Sequence, residues 1–118
     1  MFTQFGVVMV VVSDIERSVS FYRDVLGLVL RFSSPQWAQF DVGDVALGLH
    51  PATERTPVAP SSGGISFGFY VDDLDATLAD LRSKGATQLS RSTEQFGDLA
   101  IISDPDGYGI QLCQMKKR

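Results

Sequence analysis

The apolar positions of the chain follow the same succession of strand and helix patterns twice. In the first half, a β-branched run over Val7–Val12 predicts a buried strand. A helix follows, and helical spacing predicts an apolar face made of Ile15, Val19, Tyr22 and Leu26. Gly27 is typical of a helix end. Three more strands are predicted, at Leu28–Phe32, Trp37–Val42 and Val45–His50.

The second half repeats this order. A strand is predicted at Ile65–Val71, and a helix follows with an apolar face made of Leu74, Leu78 and Leu81. The turn residues Asp104–Gly107 precede the last of three further strands. These strands are predicted at Thr87–Arg91, Leu99–Ser103 and Tyr108–Gln114. As N-caps, the sequence favours Ser13 in a capping box with Glu16 for the first helix and Asp72 for the second.

The repeat can be measured directly, because Val12–Val19 recurs as Val71–Leu78 at an offset of 59 residues. We therefore expect one domain of two βαβββ modules, at about residues 5–50 and 65–115, because one such module alone buries too little. The predicted fold class is α+β, with a curved eight-stranded mixed sheet around a concave cavity and helices on its outer face. Residues 51–64 are rich in Pro, Ser and Gly, and they form either a plain linker or an ordered flap over the cavity.

Composition limits the classes of function. A net charge of −4 argues against a general nucleic-acid binder, and the short basic run Lys116–Arg118 does not change that expectation. The longest apolar run has six residues, too few to cross a membrane. The chain shows no basic start of a secretion signal, and its single cysteine agrees with a reducing compartment. We therefore expect a cytoplasmic protein.

Two motifs carry a resemblance to a known family. The segment Val12–Leu28 (VSDIERSVSFYRDVLGL) and the segment Asp104–Leu112 (DPDGYGIQL) resemble the vicinal oxygen chelate superfamily. That group includes glyoxalase I, extradiol dioxygenases and bleomycin resistance proteins. The resemblance covers about residues 5 to 115 and implies the fold described above. It does not imply one function, since the superfamily supports many chemistries on one scaffold.

The resemblance also implies where a metal would be held. Metal enzymes of the superfamily place His or Glu at four positions, which carry over to Val7, Gly48, Ser66 and Gln111. Divalent transition ions prefer imidazole nitrogen and carboxylate oxygen, which none of these residues supplies. We therefore expect a protein without a metal or other cofactor.

Alternation along the predicted strands identifies the side chains that would line the cavity. If Gly43 and Asp44 form a two-residue turn, Gln39 lies opposite Gly48 and Trp37 lies opposite His50. The predicted ligand-binding residues are Trp37, Gln39, His50, Ser66, Tyr70, Gln111 and Cys113. They are aromatic or neutral, as is usual in small-molecule pockets.

Each of these residues also has a purely structural interpretation. Trp37 can be an ordinary half-buried sheet residue, and His50 can be a surface residue before a proline. Ser66 can be a satisfied strand hydroxyl, and Cys113 a small buried hydrophobic residue.

Two main hypotheses for function remain open at this point, beside a third possibility, a degenerate regulatory or accessory module that would bind a metabolite or partner through the same face. The first is a metal-free binding protein of the bleomycin resistance type, which sequesters an aromatic or cationic antibiotic or metabolite and needs no catalytic residue. The resemblance implies a homodimer for this class. The second is a glyoxalase-like lyase, isomerase or dioxygenase-related enzyme with a non-standard site, in which His50 or Tyr70 acts as acid or base. The first is preferred because the sequence shows no group that would tune either residue.

Overall fold

The computed structural model describes residues 1–59 and 64–117. The chain divides into two compact units, unit 1 (Met1–Ala59) and unit 2 (Pro60–Arg118). Among the described residues, no helix is long and apolar enough to cross a membrane.

Unit 1 is a four-stranded mixed sheet with one helix. The first and last strands pair in parallel, and the remaining pairs are antiparallel, which gives the order β1-β4-β3-β2. Inward-facing residues of this sheet, such as Phe40 and Leu49, are fully buried. The elements are β1 (Val7–Val12), α1 (Ile15–Ser20), β2 (Val29–Ser33), β3 (Ala38–Val42) and β4 (Val45–Pro51).

The helix of unit 1 differs from the sequence prediction at both ends. Asp14, and not Ser13, is the N-cap, because its carboxylate accepts a hydrogen bond from the backbone N–H of Arg17 at 3.1 Å. The α-helix ends at Ser20 and continues as a π-helical turn over Phe21–Val25. Tyr22 in this turn is buried, and its ring centroid lies 6.0 Å from that of Phe40. The predicted apolar face therefore packs on the sheet, although Tyr22 belongs to the π-helical turn and not to the α-helix.

Unit 2 repeats the topology of unit 1. Its strand order is β5-β8-β7-β6, again with a parallel pair between the first and last strands. Helix α2 contacts β6, β7 and β8. The elements are β5 (Phe67–Tyr70), α2 (Leu74–Ser83), β6 (Thr87–Glu94), β7 (Gly97–Ser103) and β8 (Gly109–Met115).

The predicted apolar face of α2 is confirmed, since Leu74, Leu78 and Leu81 are all buried. The N-cap is Asp73, and not Asp72, because its side chain accepts from the backbone N–H of Ala76 at 3.0 Å. In both units the cap is thus one residue later than predicted. The first turn of α2 is also tied to the sheet, where Gln114 Oε1 accepts from the Leu74 N–H at 2.7 Å.

The predicted α+β class and the eight strands are confirmed. The strands form two sheets of four, each complete within its own unit, where the sequence predicted one sheet of eight. In each sheet the first strand of the unit pairs with the last, so the first and second strands of the unit are the two edge strands. That the two modules make one domain stays a prediction.

The segment between the modules is described in part. Its beginning is ordered, because Ala52 N–H donates to the Val12 carbonyl at 2.8 Å and Thr53 and Thr56 bond to each other across a turn. Residues 60–63 of the predicted linker, and Arg118 of the basic run, lie outside the described residues. Whether the segment is a linker or a flap stays a prediction.

Candidate functional site

The face of unit 1 that carries Trp37, Gln39, Gly48 and His50, here called the unit 1 face, follows from strand register. Gly43 and Asp44 form the two-residue turn between β3 and β4, so Val42 pairs with Val45. As predicted, Gln39 then pairs with Gly48. The register places Trp37 beside His50, and their ring centroids are 6.5 Å apart in an edge-to-face arrangement.

Hydrogen bonds hold the polar groups of this face. The indole Nε1–H of Trp37 donates to Gln39 Oε1 at 3.2 Å. Nδ1 of His50 lies 2.7 Å from the carbonyl oxygen of Pro51, which accepts only, so this nitrogen carries the proton. In the neutral ring, His50 Nε2 is therefore the acceptor nitrogen. All three side chains are half-buried, so each has a surface that another molecule can contact.

In unit 2, Ser66 and Gln111 are in contact. Gln111 Nε2 lies 2.9 Å from Ser66 Oγ, although 45 residues separate the two in sequence. Gly68 pairs with Gln111 and Tyr70 pairs with Cys113 along the parallel strands. The Cys113 thiol donates to the Met115 sulfur at 3.5 Å, which keeps it among apolar neighbours.

A pocket lies beside these residues. Its volume is about 470 Å³, within the range of small-molecule sites. The lining side chains carry no formal charge, and two of them, Tyr70 and Phe96, are 81% and 45% exposed. The pocket, here called the unit 2 pocket, is lined by Gly68, Phe69, Tyr70, Phe96, Leu99, Gln111, Cys113 and Met115.

Five of the eight lining residues are not among the predicted ligand-binding residues, namely Gly68, Phe69, Phe96, Leu99 and Met115. Leu99 pairs with Cys113, and Met115 follows Cys113 by two positions, so the alternation used for Gln111 would have identified both. Phe96 belongs to the turn between β6 and β7, where no strand pattern indicates the direction of a side chain. Of the seven predicted residues, the structure brings together Trp37, Gln39 and His50 in unit 1. In unit 2 it brings together Ser66, Tyr70, Gln111 and Cys113.

The residues at the four expected metal positions do not fit a divalent transition ion. The contact between Ser66 and Gln111 shows that two of these positions are neighbours in unit 2, and Val7 and Gly48 stand at the equivalent strand positions of unit 1. Their donors are one hydroxyl and one neutral amide, with no imidazole or carboxylate. Elsewhere in residues 1–59 and 64–117, no group of three or more His, Cys, Asp and Glu side chains is arranged to hold a metal.

The His50 and Asp104 side chains make hydrogen bonds to the backbone within the chain. His50 Nδ1 is bonded to the Pro51 carbonyl oxygen. Asp104 and Asp106 form a turn, in which Asp104 Oδ1 accepts from the N–H groups of Asp106 and Tyr108 at 2.9 and 2.8 Å. The unit 1 face offers rings and a neutral amide, and the unit 2 pocket offers rings, a thiol and a neutral amide.

Two βαβββ units, each with a parallel pair between its first and last strand, define the glyoxalase type of α+β fold. The family model described as "Glyoxalase/Bleomycin resistance protein/Dioxygenase superfamily" matches residues 4–112. The chain therefore belongs to this superfamily, as its motifs predicted.

Relatives within the superfamily carry different names. The chain is 28% identical to a lactoylglutathione lyase of Haemophilus influenzae, over 89% of this chain and 87% of the relative. It is 29% identical to the phenazine antibiotic resistance protein EhpR of Enterobacter agglomerans, over 91% of this chain and 88% of that one. Among solved structures, TnmS3, an antibiotic binding protein from Streptomyces sp. CB03234, is 28% identical with a TM-score of 0.81, over 98% of both chains. Both an enzyme and antibiotic resistance or binding proteins are thus similar to this chain.

Proposed function

We propose that this protein binds and sequesters a small aromatic molecule, such as an antibiotic or a metabolite, without a metal ion. The observation that carries the proposal is the unit 2 pocket, whose apolar and neutral lining surrounds Gln111, the residue at an expected metal position. Burial of apolar surface favours binding of an aromatic ligand, and the Gln111 amide adds a directional hydrogen bond.

The similarity to EhpR and TnmS3 supports an antibiotic as the ligand class. The net charge of −4 also supports a cationic ligand, because an acidic protein attracts cations at long range. Sequestration requires affinity alone, which agrees with a pocket whose lining side chains are apolar or neutral.

A thermal-shift screen tests the proposal. The probes are phenazine as a neutral planar ligand, 9-aminoacridine as a cationic planar ligand, and cyclohexylamine as a cation without an aromatic ring. At one hundred times its dissociation constant, a bound probe stabilises the folded state by about 2.7 kcal/mol. We expect one of the planar probes to raise the melting temperature and cyclohexylamine to leave it unchanged. Stabilisation by divalent ions in the absence of any planar probe would contradict the proposal.

A lyase is the second candidate, and the similarity to lactoylglutathione lyase favours it. His50 Nε2 is the one acceptor nitrogen of an imidazole in the chain, since the sequence has a single histidine. Turnover of lactoylglutathione by the purified protein, lost in His50→Gln, would establish this activity. The binding proposal expects no turnover.

A homodimer is part of the same proposal, since the resemblance implies it for the metal-free class. Light scattering coupled to size-exclusion chromatography measures the mass directly. A mass of twice the 12.9 kDa of one chain supports the dimer, and a mass of one chain contradicts it.

A further inference from the structure

The contact between Gly48 and Trp37 distinguishes the unit 1 face. A Cβ atom built on Gly48 would overlap Cζ2 and Cη2 of the Trp37 ring, so the six-membered ring lies directly against the backbone of β4. Gly48 is buried as a result, although it belongs to the face that carries half-buried side chains. Only a residue without a side chain leaves room for the ring in this position.

Further contacts hold both the backbone and the ring of Trp37. Ser34 fixes the backbone, because its N–H donates to the Trp37 carbonyl at 2.8 Å and its Oγ accepts from the Trp37 N–H at 3.2 Å. The Nε1–H bond to Gln39 and the edge-to-face contact with His50 fix the ring. A ring held before a ligand arrives loses little entropy on binding.

These contacts determine which polar groups remain for a ligand. The indole N–H is only a donor, so the Gln39 carbonyl must face it and the Gln39 NH₂ group is left to donate. In the neutral ring, His50 Nε2 is left to accept, because Nδ1 is committed to the Pro51 carbonyl. The unit 1 face therefore combines an aromatic surface with one donor and one acceptor.

The contact between Gly48 and Trp37 also determines whether position 48 can carry a metal ligand. An imidazole or carboxylate side chain at position 48, where the superfamily places a metal ligand, would occupy the volume of the Trp37 ring. A metal ligand at position 48 and an indole in this position are thus alternatives, and this chain has the indole.

We propose that Gly48 is a specificity-determining residue that positions Trp37. Without a side chain at position 48, the indole lies on β4 and, together with the Gln39 amide and His50 Nε2, selects a planar aromatic ligand with hydrogen-bonding groups at its edge. The ligand class rests on the proposed function, whereas the positioning of the ring does not.

The test is Gly48→Ala, read first without any ligand. Trp37 is the only tryptophan, so intrinsic fluorescence reports on this ring alone. We expect the added methyl group to displace the ring, which shifts the emission maximum to the red and increases quenching by acrylamide. Gly6→Ala is the matched control, because a Cβ there meets nothing within 4 Å, and it should leave the spectrum unchanged. An unchanged spectrum in Gly48→Ala would overturn the proposal.

The second readout is affinity for the planar probe that the thermal-shift screen selects, measured by isothermal titration calorimetry. Gly48→Ala should weaken binding about tenfold, as loss of an aromatic contact does. In a Trp37→Ala background the same substitution should have no further effect, and a further loss would overturn the positioning role. If no planar probe binds the wild type, the proposed function fails, and the fluorescence result still decides the role of Gly48.

Folding of the variant provides a third outcome. If Gly48→Ala does not fold, Trp37→Ala/Gly48→Ala should fold, because removal of the ring makes room for the methyl group. Rescue supports the proposal, and an unfolded double variant contradicts it.

Discussion

The two units carry a glycine in the same cross-strand pair but on opposite strands. In unit 1 Met9 on the first strand pairs with Gly48 on the last, whereas in unit 2 Gly68 on the first strand pairs with Gln111 on the last. An indole ring lies against Gly48, and the backbone and Cβ of Gln111 lie against Gly68. One glycine therefore makes room for a ring, and the other makes room for a neighbouring glutamine.

This comparison separates what the repeat preserves from what it varies. Both units keep the helix cap, since Asp14 and Asp73 each accept from a backbone N–H three residues later. Both also keep a buried apolar residue at the equivalent helix position, Val19 in one and Leu78 in the other. The outward-facing strand residues differ, because the core does not constrain them. At position 48 of unit 1, for example, a glycine makes room for the Trp37 ring.

The largest expected effect is on stability, and it concerns the buried helix face that both units share. Leu78 is only 4% exposed, so Leu78→Ala should lower the free energy of unfolding by about 2–5 kcal/mol. Leu89→Ala in the same unit is the matched control, because Leu89 is 56% exposed and its loss should change the stability by less than about 0.5 kcal/mol. Equal effects in urea denaturation would mean that the buried face of α2 is wrongly assigned.

The next largest effect is on ligand affinity, and it is measured at one aromatic residue of each unit. Trp37→Ala should weaken binding of the selected planar probe about tenfold, because a held ring contributes roughly 1 kcal/mol beyond the area it buries. Tyr70→Ala, the matched change in unit 2, should cost less, since Tyr70 is far more exposed. Calorimetric titrations measure both. A larger loss for Tyr70→Ala would contradict the recognition role assigned to Trp37.

A smaller effect tests the helix caps. Asp73→Ala should lower the stability by about 1 kcal/mol, because the N–H of Ala76 loses its acceptor. Asp72→Ala, one residue earlier, should stay within about 0.5 kcal/mol. If Asp72→Ala lowers the melting temperature more than Asp73→Ala does, Asp72 is the N-cap, as the sequence predicted.

The sequence predicted most of the fold because the repeat and the alternating strands are strong patterns. All eight strands lie within three residues of their predicted ends at each terminus. The N-caps were predicted one residue too early, because Ser13 and Asp14, like Asp72 and Asp73, are adjacent residues that can both cap a helix. The π-helical turn after Ser20 was missed because its apolar residues keep normal helical spacing.

The candidate site was predictable only in part. Register placed Gln39 opposite Gly48 and brought Trp37 to His50, since pairing depends on the length of one turn. The contact of the indole with Gly48 depends on a side-chain conformation, which no strand pattern specifies. Phe96 was missed for a similar reason, because it reaches the unit 2 pocket from a turn.

The claim that a planar ligand binds without a metal can be tested in one measurement. The melting temperature is recorded with and without the selected planar probe, before and after treatment of the protein with a chelator. The account predicts the same stabilisation by the probe in both samples, and the same melting temperature for the free protein. A stabilisation that disappears after chelation and returns with an added divalent ion would contradict it.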